Sequence, residues 1–218
     1  MKDLAKHFLS DTDRQKVMAA VKEAEKHTSG EIVPMVVSAS YRYPMANVIG
    51  AVALALPISL MLTPLVGGRL WIGTQNMWLF LGFLTILFVA FHEIVKRTYW
   101  LKRWFISQRE IDEEIEEATL TAFFKEGLYR TREETGILVF ISVFEHKVRI
   151  LADRGINEKV NRGQWDNIVK IIVDGIKHKR PAQSICEAVA KIGDLLKEHF
   201  PIGPDDTDEL KNLIVDKS

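Results

Sequence analysis

Two long uncharged apolar runs interrupt an otherwise short-period pattern of hydrophobic and polar positions. The first is Met45–Val66 (MANVIGAVALALPISLMLTPLV) and the second is Met77–Phe91 (MWLFLGFLTILFVAF), extendable to Ile94. Before them, Val17, Ala20, Val21 and Ala24 fall at i, i+3, i+4 and i+7, which predicts a helix capped by Ser10 or Thr12 and stopped near Thr28-Ser29-Gly30. Glu31–Ser40 is rich in valine and isoleucine and predicts a strand, with Pro34 marking an edge position or a bulge. After the runs, Ile111, Ile115, Ala118 and Ala122 set one face of a helix over 107–125. Thr135–Val143 is apolar almost throughout, as in a strand covered on both faces, and Glu145-His146 turns the chain into a third strand, Lys147–Asp153. Helices are predicted over 157–178 and from Pro181 to His199, followed by a terminal turn around Glu209–Val215 that Asp205 or Asp206 could cap.

At a rise of ~1.5 Å per residue, 22 uncharged residues cross a hydrocarbon layer of ~30 Å, so the first run is expected to span a membrane. The second reaches the lower limit of ~17 residues once His92 and Glu93 sit among headgroups. Lys96, Arg97, Lys102 and Arg103 follow the pair and Arg42 precedes it, whereas the loop Gly67–Asn76 carries only Arg69. The positive-inside rule then keeps both termini and the soluble part cytoplasmic, with Trp71, Trp78, Tyr99, Trp100 and Trp104 suited to the two interfaces. Small residues Ala46, Gly50, Ala51, Ala53 and Ala55 allow close approach of a second helix. The expected neighbour is the other span at Gly82, with a homo-oligomer formed through the same helices as the alternative. Pro57 is expected to kink the first span.

Removing this hairpin from the 218 residues leaves roughly 165, one ordinary domain. The segments expected are 1–44 and 107–199 as two parts of one α/β domain, 45–94 as hairpin, 95–106 as basic juxtamembrane stretch and 200–218 as tail. A helical connection between the first two strands makes them parallel if adjacent, and the tight turn makes the third antiparallel, giving a small mixed sheet. Zero net charge argues against a nucleic-acid partner. Met1–Ser10 lacks the apolar core of a secretory signal, and Cys186 alone cannot close an internal disulfide.

The order of helix, Thr28-Ser29-Gly30-Glu31-Ile32-Val33, Gly136-Ile137-Leu138-Val139-Phe140-Ile141-Ser142, Val148-Arg149-Ile150 and Asp153-Arg154-Gly155-Ile156, then two helices, resembles the TPM domain family over 10–45 and 105–199. It is most similar to a bacterial branch with two spans inside the domain. That resemblance implies a three-layer α/β sandwich with a transmembrane hairpin inserted after the first strand, at the bacterial inner membrane. It also implies a family linked to phosphatase activity, divalent-cation binding and upkeep of membrane complexes. Asp153 and Asn157 stand where many members have glycine and glutamate, so no site residue is carried over.

From the residues themselves, one end of the sheet should gather Glu31, Glu134 and Asp153, a carboxylate set able to hold a hard cation such as calcium. Loop-capping acids are the alternative. The acidic run Glu110, Asp112, Glu113, Glu114, Glu116 and Glu117 reads as a solvated helix face, with docking the alternative. Asp205, Asp206 and Asp208 lack the glycine and terminal glutamate of a calcium loop, and His92-Glu93 is followed by Lys96 rather than a second zinc-ligating histidine. No phosphate-cradling glycine loop or nucleophile elbow is present. The leading expectation is a non-catalytic accessory module bound to the lipid bilayer and supporting a membrane protein partner. The alternative is a divalent-cation-dependent phosphohydrolase using Glu31 and Asp153.

Overall fold

The computed structural model describes residues 4–71, 73–131, 133–202 and 210–215. In chain order the elements are α1 (Leu4–Phe8), α2 (Asp11–Glu25), β1 (Glu31–Val37), α3 (Pro44–Arg69), α4 (Met77–Arg97), α5 (Tyr99–Arg103) and α6 (Gln108–Lys125). A 3-10 turn at Leu128–Arg130 leads to β2 (Gly136–Ser142), β3 (Lys147–Ala152), α7 (Arg154–Asn157), α8 (Arg162–Lys177), α9 (Pro181–His199) and β4 (Ile214–Val215). The chain divides into two compact units, one of Met1–Tyr41 with Asp112–Ser218 and one of Arg42–Ile111.

In the first unit the sheet order is β3-β2-β1-β4, with β1 parallel to β2 and β4, and β2 antiparallel to β3. One sheet face presents Ile32, Val36, Ile137, Val139 and Ile141, which pack with Val21 of α2, Ile168 and Ile172 of α8, and Ile185, Val189 and Ile192 of α9. Burial at roughly 1.5–3 kcal/mol for each large aliphatic side chain makes this the principal stabilising layer. Across the sheet, Asp112 and Glu116 of α6 pair with Lys147 and Arg149 of β3 at 2.6 and 3.1 Å. The acidic run thus lies on a solvated helix face, as expected, with two of its members reaching exposed cations of β3.

Ser10 caps α2, its hydroxyl accepting from the Asp13 amide at 3.1 Å while Asp13 reaches back to the Ser10 amide. Pro34 lies where β1 has only β2 beside it, the edge position expected, although β4 joins the same strand further along. The physical reason is the alternation of amides. Glu31 donates toward β2 at Thr135 O (3.1 Å), and Ile32 donates outward to Glu25 Oε1 (2.9 Å), so position 34 also faces outward. Pairing with β4 begins only at Met35, past the proline. Residues 38–40 leave the strand earlier than expected, and 157–178 is broken because Asn161 caps α8, accepting from Gly163 N at 3.1 Å. Ile214–Val215 forms β4 where a helical turn was expected. Asp205, Asp206 and Asp208 lie outside the described residues.

In the second unit α3 and α4 pack against each other as a hairpin. At 26 and 21 residues they are ~39 and ~31 Å long. Buried positions on α3 recur every four residues, at Asn47, Ala51, Ala55, Ser59, Thr63 and Gly67. The Ser59 and Thr63 hydroxyls donate to Ala55 O and Ser59 O, each at 2.7 Å, so both are satisfied within their own helix. Gly82 has open space where a side chain would stand, so the close approach is made by the small residues of α3 alone. Pro57 and Pro64 lie inside α3 without ending it.

Candidate functional site

Glu31, Gly136 and Asp153 occupy one row at the end of the sheet. Glu31 is the register partner of Gly136, and the Asp153 amide donates to Gly136 O at 2.9 Å. Directly opposed residues share a face, so both acids flank the glycine on the side of α6. Glu31 is buried. Asp153 caps α7, Oδ1 accepting from Arg154 N at 2.7 Å, while Oδ2 is buried with no hydrogen-bond partner among the described residues. Glu134 behaves differently. Its backbone is left-handed (φ 55°) and its side chain is exposed. Its negative charge acts on Arg154, whose guanidinium is held above its ordinary value first by the hydrogen bond to Glu158, then by the charges of Glu158 and Glu134.

A shared hard cation needs six to eight oxygens at ~2.3–2.6 Å. Glu31 and Asp153 stand two strand spacings apart, ~9.6 Å between Cα atoms. Between them Leu128 O approaches so closely that a Cβ at Gly136 would lie 2.4 Å from it. A Cβ at Gly155 would likewise lie 2.8 and 2.9 Å from the carbonyl oxygens of Glu133 and Glu134. The carbonyls of Leu128, Glu133 and Glu134 thus crowd this end of the sheet, and among the described residues no group of three or more His, Cys, Asp or Glu side chains is arranged to hold a metal. The expected three-carboxylate set is not assembled. The order of strands brought Glu31 and Asp153 to one row, but the glycine between them is filled by backbone and Glu134 turns outward.

Hydroxyls stitch the same region together. Thr28 Oγ1 donates to Phe200 O at 2.7 Å and accepts from Gly30 N, and Thr135 Oγ1 donates to Ser29 O at 2.9 Å. Ser29 Oγ donates to Glu133 Oε2 at 3.0 Å. These bonds tie loops to strands, as structural caps do.

The opposite end of the sheet holds a buried acid that the sequence reading treated only as a turn residue. Glu145, 1% exposed, accepts from Ser40 N (3.0 Å), Ser40 Oγ (2.7 Å) and Ser142 Oγ. It clamps the exits of β1 and β2, and Ser38 Oγ beside it accepts from Ala5 N at 3.1 Å. A carboxylate three residues after Ser142, in a turn where His146 takes φ 54°, was the available signal. In the second unit Lys102 is buried and donates to Arg42 O, and burial lowers its pKa. Trp100 and Trp104 meet edge to face at 6.3 Å and are largely exposed.

Residues 100–195 match the family model described as TPM domain. No curated protein sequence matches the chain. Among solved structures, the NMR structure of the BA42 protein from the psychrophilic bacterium Bizionia argentinensis is similar, with a TM-score of 0.59 and 20% identity over 99% of each chain, a likeness of fold. The matched segment runs from α5 into α9 and contains β2, β3, α6 and α8, so the likeness to the TPM domain covers that part of the chain.

Proposed function

We propose that this protein is a membrane-anchored accessory module whose TPM domain supports a membrane protein complex at the cytoplasmic face of the bacterial inner membrane. The observation that carries the reading is the surface of α3 and α4. Within their most apolar 18-residue stretches only 28% and 6% of residues are buried, and large side chains such as Met61 and Ile86 are about two-thirds exposed. Soluble monomers rarely expose apolar patches beyond a few hundred Å², so lipid is the solvent that suits this hairpin. Lys96, Arg97, Lys102 and Arg103 after α4, against Arg69 alone in the outer loop, support cytoplasmic termini. The acidic sheet end supports the accessory role, because Asp153 caps α7 and the Leu128 carbonyl crowds the glycine between it and Glu31. Two experiments test it. The full chain should resist alkaline carbonate extraction, and protease added to intact cells should spare the TPM domain; release by carbonate or digestion from outside refutes anchor or orientation respectively. Crosslinking in native membranes should then recover a defined membrane protein.

The cation-dependent phosphohydrolase remains the second reading, favoured by the buried Asp153 Oδ2 that has no donor among the described residues. Metal-dependent turnover of a simple phosphate ester, abolished by Asp153→Ala, would replace the accessory reading with it.

A further inference from the structure

A groove of about 470 Å³ opens between the sheet and α6. Its origin is a mismatch of widths. Three helices, α2, α8 and α9, cover the opposite sheet face, whereas α6 covers this one. A helix ~10 Å across covers about two strands spaced ~4.8 Å, and the ion pairs of Asp112 and Glu116 draw α6 toward β3. The face of β1 is left as a floor of Met35 and Val37, with Phe140 of β2 beside them. Glu114, Glu117, Thr121 and Lys125 of α6 line the wall over twelve residues, ~16 Å, enough for about five residues of extended chain.

We propose that this groove docks a Lys/Arg-rich cytoplasmic segment of a partner membrane protein, with apolar residues interleaved among the cations. The inference rests on the accessory reading and names the chemistry of its partner. Charge complementarity selects the occupant. Glu114 and Glu117 stand at one end of the wall and Lys125 about two turns further along α6, so cations near one end of a segment meet the acids while its apolar side chains lie toward Met35, Val37 and Phe140. The same carboxylates repel an anionic lipid surface. Cytoplasmic segments flanking membrane spans are enriched in Lys and Arg. Such segments are therefore what an acidic groove on this domain meets.

The test uses the full chain in phosphatidylcholine nanodiscs and a fluorescent ten-residue peptide of alternating Leu and Lys, followed by anisotropy at low salt. Binding should be at least tenfold tighter than for the same peptide with Glu or with Gln in place of Lys. Glu117→Lys, at an exposed helix position, and Ala118→Trp, which fills the groove, should each weaken it at least tenfold while thermal midpoints stay near wild type. Equal binding of the Gln peptide, or wild-type binding by both variants, overturns the proposal. Should native-membrane crosslinks persist in both variants, the accessory reading stands and this groove is not its docking site; peptide binding with no membrane partner crosslinked refutes the accessory reading instead.

Discussion

Replacing Glu145 by alanine removes the acceptor for Ser40 N, Ser40 Oγ and Ser142 Oγ at once. Ser142 and Glu145 are each 1% exposed, so water cannot readily replace the bond from Ser142, whereas half-buried Ser40 can be partly rehydrated. Hydrogen bonds to a charged group contribute ~1.5–3 kcal/mol each, and a buried donor left alone costs ~1–3 kcal/mol. Against this, alanine no longer requires the carboxylate to be desolvated, which recovers several kcal/mol. The balance is a loss of about 2–4 kcal/mol, or about 5–15 °C in midpoint at ~2–4 °C per kcal/mol for a domain of this size. Glu145→Gln keeps the shape and one acceptor oxygen, and the Ser142 hydroxyl can rotate to accept from the new amide, so about 1 kcal/mol should be lost. Thermal unfolding of the full chain in nanodiscs, followed by circular dichroism, measures both. A midpoint for Glu145→Ala within 2 °C of wild type, or equal losses for the two variants, would refute the clamp.

Gly136→Ala forces a Cβ to within 2.4 Å of Leu128 O, a backbone atom that cannot swing aside, and should cost about 1–3 kcal/mol or more by overpacking, read as a lower urea midpoint with unchanged m. Ile86→Asp, near the middle of α4 on its exposed side, should cost ~2.5–3.5 kcal/mol of insertion and raise the carbonate-extractable fraction; unchanged extraction would mean that α4 does not span. Burial pushes the Cys186 thiol above its ordinary pKa. Its protonated form is thus favoured by folding, and that stability is complete below ~8.5 and lost as pH rises toward the folded value. N-ethylmaleimide should modify it more slowly than free cysteine at neutral pH, with the Cys186→Ala variant losing part of the alkaline decline in stability.

Much of the architecture was legible because periodicity is a local property. Val17, Val21 and Ala24 announce α2 by spacing alone, and the short Glu145-His146 link forces β2 and β3 into an antiparallel pair. Two uncharged runs of sufficient length define α3 and α4 by the same reasoning, since the length of a span depends on rise per residue and not on neighbours. What stayed hidden depends on partners far along the chain. Residues 214–215 are too few to show a strand pattern, and only the free edge of β1, where Glu25 also receives Asn212 at 3.1 Å, makes β4 of them. Glu145 reads as a turn acid until the exits of β1 and β2 meet it from 105 and 3 residues away.

The candidate site divides in the same way. Strand order was enough to set Glu31 and Asp153 in one row, yet whether two carboxylates can share a ligand depends on what stands between them. Tertiary packing put the Leu128 carbonyl there, 25 residues before Asp153 in sequence. Likewise the acidic run on α6 is visible as composition, while its division into a row paired with β3 and a row lining a groove exists only once the helix lies on the sheet. Composition and period thus determine which segments must leave water and in what form; the docking of those segments decides which charges meet, because Coulomb and hydrogen-bond energies depend on distances that no local pattern encodes.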